Sequence, residues 1–190
     1  PNYNVTLLSL WDKRTLLCCS RWQGLLLLDL NTGKCRRPPF DCGKEIMNVL
    51  IDSQKRIWVA PYNGGLNCLT HDGKLLATYT THNSSLSNNV VLSLAEREGE
   101  IWIGTDGGGI NSFDQKTNTF HHYPTTYGEK VTSITDFSEN ELLLSCFNKG
   151  VYTFNKRTAQ MQPFPIINDS ISKREFSSGD LVNLYATKDN

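Results

Sequence analysis

The chain has 190 residues, enough for one ordinary domain with a substantial core. Hydrophobic residues make up 38% and charged residues 20%, and 19 Lys+Arg offset 19 Asp+Glu. That balance suits a soluble globular protein, gives no charge excess for a nucleic-acid partner, and leaves no apolar run near the roughly 18–20 residues that span a bilayer.

The chain opens PNYN, with neither an initiator Met nor a signal peptide. It therefore reads as part of something longer, whose missing targeting signal says nothing about location. The first extended run is LLSL (7–10). LLCCSRWQGLLLLD (16–29) follows, two apolar runs about a corner that ends in glycine, and then the turn DLNTGK (29–34). The same order returns with MNVL (47–50), IWVAPYNGGLNCLT (57–70), the turn THDGK (70–74) and LLATY (75–79). A third round comprises VLSL (91–94), IWIGTDGGGINSFD (101–114), the turn DQKTN (114–118) and TFHHY (119–123). Within it LAEREGE (94–100) is charged and short, and reads as an exposed connection. A fourth round has VTSI (131–134), LLLSCFNKGVYTFN (142–155) and the turn NKRTA (155–159), and LVNL (181–184) begins a fifth.

The four long segments align without a gap. Gly24, Gly65, Gly109 and Gly150 share one column, each followed by a large aliphatic residue (Leu25, Leu66, Ile110, Val151). Each unit is four short strands in about 42 residues, rich in β-branched and aromatic residues and free of helical periodicity. Such units match the blades of a β-propeller; a β-helix needs shorter coils and an α-solenoid needs helices. The expected fold is all-β: a β-propeller fragment of four four-stranded antiparallel blades at 5–44, 45–87, 88–128 and 129–168. A connector and the first strand of a fifth blade occupy 169–190. The glycine column is expected to be a corner with positive φ or close backbone approach. A phosphate cradle would lead into a helix and would not be copied into every unit.

Of the six cysteines, most are expected to be small buried apolar residues, with Cys18 and Cys19 on opposite faces of one strand. A Cys35–Cys42 bridge would close a short loop, in an oxidising compartment. Trp58 and Trp102, which open the second strand, should fill the space between blades. Asp29, Asp114 and Thr117 should serve turns, where a carboxylate accepts backbone N–H bonds. One of His121 and His122 should face solvent.

The third unit, VVLSLAEREGEIWIGTDGGGINSFDQKTNTFHHY (90–123), resembles the two-component regulator propeller repeat. It carries V-x-S-L, then IW-x-GT, GGI, D-x-x-T and F-x-x-Y. The resemblance is good in the second unit and looser in the first and fourth, where Leu17 and Leu143 replace Trp; only 164–180 has no counterpart. It implies a sensor ectodomain of a bacterial hybrid two-component system: periplasmic, ahead of a membrane helix and histidine kinase, and in many members tied to carbohydrate use. The chain holds fewer blades than such propellers close with, so its exposed terminal faces imply self-association of the fragment.

Within a propeller, the corners joining strands two and three share a face with the inter-blade loops. There the units differ completely: SRWQ (20–23), PYNG (61–64), TDGG (105–108) and CFNK (146–149). Arg21, Trp22, Tyr62, Asn63, Asp106, Phe147, Asn148 and Lys149 are the candidate ligand-binding residues. Aromatics stack on sugar faces, and the polar groups bond hydroxyls or pair with sulfates and carboxylates. Alternatively Trp22, Tyr62 and Phe147 pack between blades and the polar residues are solvated. His82, Asn88 and Asn89 belong to an inter-blade loop on the same face, where simple solvation is the plainer reading.

No catalytic motif, metal-ligand spacing or cofactor site is visible, so none is assigned. The leading reading is a non-catalytic ectodomain segment that recognises a polysaccharide-derived oligosaccharide and signals to a kinase portion elsewhere. A protein-interaction scaffold is the alternative. A propeller lyase or hydrolase comes third, because the first strands offer Ser9, Asn48, Ser93, Ser133 and Asn183 without a repeated acid or base.

Overall fold

The structure, a computed structural model, describes residues 5–20 and 23–165. Arg21, Trp22 and the LVNL run of the fifth unit lie outside the described residues. Among the described residues sixteen strands form four antiparallel sheets, each in simple sequence order. Sheet 1 comprises β1 (Val5–Asp12), β2 (Thr15–Ser20), β3 (Gly24–Asp29) and β4 (Cys35–Arg36). Sheet 2 has β5 (Ile46–Ile51), β6 (Ile57–Pro61), β7 (Leu66–Leu69) and β8 (Leu75–Tyr79). Sheet 3 has β9 (Val91–Arg97), β10 (Glu100–Thr105), β11 (Ile110–Asp114) and β12 (Thr119–His122). Sheet 4 has β13 (Val131–Ser138), β14 (Glu141–Cys146), β15 (Gly150–Asn155) and β16 (Gln160–Pro163). Among the described residues one helical turn, Pro124–Thr126, interrupts this pattern, and no helix is long and apolar enough to cross a membrane.

Two compact units divide the chain, Pro1–Val91 and Leu92–Asn190. In the first, Leu17, Cys19, Leu25 and Leu27 of sheet 1 meet Ile46, Val49, Ile57 and Val59 of sheet 2. In the second, Trp102 and Ile110 of sheet 3 meet Val131, Ile134, Leu144 and Phe154 of sheet 4. Middle strands buried on both faces explain why β2, β3, β6 and β10 read as continuous apolar runs rather than alternating ones. The fourth strand of sheet 1 is only two residues long, since Pro38 and Pro39 follow closely and lack the N–H a ladder needs.

Trp58 and Trp102 are buried as expected. Trp102 stacks on Tyr123 at 5.5 Å and meets the edge of Phe154 at 5.9 Å. The indole N–H of Trp58 donates to Asp52 Oδ2 at 2.9 Å, and Arg56 Nε donates to the same oxygen at 2.7 Å. The Arg56 guanidinium also lies 5.2 Å over the Trp58 ring. Asp52 thus satisfies a buried donor and a half-buried cation together, the condition for placing a carboxylate out of water.

The glycine column proves to be a corner in both senses. Gly24, Gly65, Gly109 and Gly150 have φ of 75°, 72°, 72° and 91°. A Cβ at Gly65 would collide with the Tyr79 carbonyl oxygen, and one at Gly109 with that of Thr126. The N–H groups of Gly107 and Gly109 both donate to the Glu129 carbonyl, at 3.2 and 3.1 Å, so neither is left to cradle an anion. The connection after β9 is shorter than its sequence suggests. The strands run on until only Glu98 and Gly99 turn, with φ of 54° and 83°, the paired positive values of a tight hairpin.

Cys18, Cys19, Cys68 and Cys146 are buried, and all six thiols are free, Cys35 and Cys42 included. Burial pushes Cys19 and Cys68 up to about 11 and Cys146 to about 12, which keeps them as inert apolar side chains.

Candidate functional site

The corners between second and third strands take their shape from one backbone position. Asn63, Gly107 and Asn148 occupy it, with φ of 53°, 84° and 59°. In two of them the turn closes by Gly64 N–H to Pro61 at 3.1 Å and Lys149 N–H to Cys146 at 3.0 Å. Positive φ at the third residue is the mark of a type II turn, which glycine and asparagine tolerate best. Asn63 and Asn148 therefore owe their places at least partly to the backbone.

Hydrogen bonds tie each corner to an inter-blade loop. Gly24 N–H donates to Lys44 O (3.1 Å), Tyr62 N–H to Glu45 O (2.8 Å) and Gly65 N–H to Asn89 O (2.9 Å) in the first unit. In the second, Phe147 N–H donates to Lys130 O at 2.9 Å. Corners and loops thus lie at one end of the sheets within each unit.

In the first unit Tyr62 is 55% exposed and Asn63 is exposed. Beside the Gly24 corner lies a cavity of about 500 Å³ walled by Leu25, Pro38, Pro39 and Phe40, with Arg37 and Lys44 also lining it. Arg37 Nη1 donates to the Gln23 carbonyl at 3.1 Å, which fixes the cation at the corner. Sequence reasoning passed over Arg37 and Lys44. The available signal was the run CRRPPF, where two prolines stiffen a basic loop. Arg21 and Trp22 belong to this corner but lie outside the described residues.

In the second unit Asp106, Phe147 and Lys149 converge on two residues absent from the sequence reading, Glu129 and Lys130. Lys130 Nζ stands 2.8 Å from Asp106 Oδ1 and 6.0 Å from the centre of the Phe147 ring. Lys149 Nζ reaches Glu129 Oε1 at 2.5 Å, and that hydrogen bond holds the Lys149 ammonium above its ordinary value. Both candidate charges are thus engaged by neighbours, whereas the Phe147 ring is 43% exposed and Asn148 faces solvent. Neither Tyr62 nor Phe147 is packed away between sheets.

Asn89 Oδ1 accepts from Thr81 N–H at 2.9 Å and Asn88 Oδ1 from Val90 N–H at 2.8 Å, so these side chains shape their loop. His82 and His121 are exposed, and His122 Nε2 lies 3.2 Å from the Gly108 carbonyl. The turn carboxylates behave as expected. Asp29 Oδ1 accepts from Asn31 and Thr32 N–H at 3.0 and 2.8 Å, and Asp114 Oδ1 from Lys116 and Thr117 N–H at 2.7 and 3.3 Å. Such ends, with exposed rings, amides and cations on a rigid frame, suit recognition of a polar ligand with flat apolar faces.

Residues 85–107 match the family model described as two component regulator propeller. No curated protein matches the sequence. Among solved structures, the extracellular domain of BT4673 from B. thetaiotaomicron, described as a hybrid two component system, superposes with a TM-score of 0.74 at 23% identity. The match covers 99% of this chain and 25% of that one. The extracellular domain of BT3049 from the same organism, described likewise, gives 0.70 at 20% identity over 92% of this chain and 23% of that one. The WD40 β-propeller domain of Doa1 gives 0.59 at 16% identity, over 86% of this chain and 54% of that one. The chain spans about a quarter of the length of the two extracellular domains. At these identities the likeness establishes architecture, and it agrees with the repeat read from the sequence. Residues 85–107 thus match a two component regulator propeller repeat, and the sheets have a β-propeller fold.

Proposed function

We propose that the chain is a ligand-sensing segment of a periplasmic sensor ectodomain and performs no reaction itself. Its corner ends recognise a polysaccharide-derived oligosaccharide, and a histidine kinase portion of a longer hybrid two-component protein reports the event. The observation that carries this reading is the contrast at the corners: the strands repeat, while one corner position holds the exposed Tyr62, then Asp106, then the exposed Phe147. The cavity beside Arg37 and Lys44 adds cations suited to carboxylate or sulfate groups. Signalling further requires that the ligand prefer one subunit arrangement over another, since equal binding to both shifts nothing. The apolar face of sheet 1, where Leu8 and Leu10 are 58% and 61% exposed, supports self-association of this chain.

A thermal-shift screen of acidic and neutral oligosaccharides tests the reading. One of them should raise the melting temperature in a saturable way that follows its binding constant. Tyr62→Ala and Phe147→Ala should each weaken that ligand roughly tenfold, the scale of one lost aromatic contact. If no oligosaccharide stabilises the chain while a partner protein does, the scaffold reading replaces it. Turnover of any oligosaccharide would overturn the non-catalytic assignment.

A further inference from the structure

At the opposite end of the second unit from its corners, another group of charged residues surrounds a cavity. In a four-stranded meander the turns joining strands one and two, and three and four, fall at the end away from the two-to-three corner. Here those turns bring Glu98, Glu139 and Arg157 to the edge of a cavity of about 300 Å³. Tyr123, stacked against the buried Trp102, also lines it.

Most charges around it are paired within the protein. Lys156 Nζ lies 3.0 Å from Glu98 Oε2, and Arg97 lies 3.5 Å from Glu98 and 3.3 Å from Asp136. Two are not. Among the described residues the Arg157 guanidinium makes no hydrogen bond or ion pair, adding only a through-space pull on Glu98. The Glu139 carboxylate likewise has no partner among them. These opposite charges line one cavity without pairing with each other. Arg97 Nε is buried and takes Asp136 as its charged partner, so it is not available to a ligand. Burial first, and Asp114 second, push the half-buried Glu100 carboxyl upward.

We infer that this cavity is a second small-molecule site, independent of the corners, and that it takes a short zwitterion: an ω-amino carboxylate. The ligand carboxylate meets Arg157, its ammonium meets Glu139, and its methylene spacer lies against the Tyr123 ring. A lone metal ion does not fit, since no three acidic, His or Cys side chains converge among the described residues. A simple anion leaves Glu139 unanswered and repelling, and a simple amine does the same with Arg157.

The experiment is a calorimetric titration of the 190-residue chain with β-alanine, γ-aminobutyrate and 5-aminopentanoate, beside butyrate and butylamine as single-charge controls. One of the three zwitterions should bind saturably, with both controls weaker by roughly tenfold or more, the loss of one charge-assisted contact. Arg157→Gln and Glu139→Gln should each weaken that zwitterion by a similar factor while the melting temperature of the free protein stays put. Tyr62→Ala, at the corners, should leave it unchanged. The site is refuted if no zwitterion binds the wild-type chain at millimolar concentration. It is equally refuted if butyrate or butylamine binds as well, or if both charge-removing variants bind like wild type. None of these results bears on oligosaccharide binding at the corners.

Discussion

Asn63, Asn148, Glu98, Asn118 and Ala159 hold left-handed backbone conformations without being glycine. For asparagine the cost is small; for alanine and for β-branched side chains it is not. Ala159 occupies the place that Gly33 takes in the equivalent turn of sheet 1, and both N–H groups close that turn at 2.9 Å, onto Asn155 and Asp29 respectively. Ala159→Gly should therefore raise stability by roughly 0.5–1 kcal/mol, part of the left-handed penalty being offset by chain entropy. Asn148→Val should lower it by roughly 1–2 kcal/mol, because a branched Cβ cannot accept the corner. Urea midpoints of the two variants decide both. The repeat exposes the glycine column to a reader of the sequence. It also aligns Asn63, Gly107 and Asn148 in one column, but only the structure shows that they share a positive φ.

At the scale of the element, the turn between third and fourth strands is organised by its first residue. Asp29 and Asp114 accept two backbone N–H bonds each, and Asn155 does the same in sheet 4 with Arg157 and Thr158 N–H, both at 3.0 Å. Backbone donors first of all, with a threonine hydroxyl beside them, hold Asp29 below the ordinary carboxylate value of 3.8, and Asp114 shifts in the same direction. A pKa lower in the folded state means that the unfolded chain binds more protons in this range. The stabilisation is then complete above the unfolded value and is lost as the pH falls through the folded one. The urea midpoint should decline below about pH 4, and Asp29→Asn should flatten the decline while keeping the turn, as Asn155 already does. An unchanged slope in that variant would show that other carboxylates govern the acid limb. Asp29 and Asp114 were legible in the sequence as turn residues. Asp52 was not, because its partners Arg56 and Trp58 become meaningful only when β6 is buried on both faces.

For the molecule as a whole, sheet 1 presents an apolar face that its own unit does not use for its shared core. Leu8 pairs across Cys18 to Leu26, and Leu10 across Leu16 to Leu28, so the two exposed leucines head rows of apolar side chains on one face. Cys18 and Leu26, further along, are buried, so the exposed apolar surface is that of Leu8 and Leu10 on β1, and exposed apolar side chains on an edge strand mark interaction surfaces. The double variant Leu8→Glu, Leu10→Glu should shift the chain toward monomer in light scattering at high concentration, with the folded β spectrum retained. A wild-type chain that is already monodisperse as a monomer would remove that face from consideration. The sequence by itself determined the unit, its period and its strand order, because a copied pattern of apolar runs and turn residues admits one local solution. Tertiary structure alone decided which corner charges are free. Glu129 and Lys130 lie far along the chain from Asp106, and only folding brings them together to neutralise Asp106 and Lys149 while leaving the Tyr62 and Phe147 rings in water. Pairing between charges is set by distance in space, and linear order carries no measure of it.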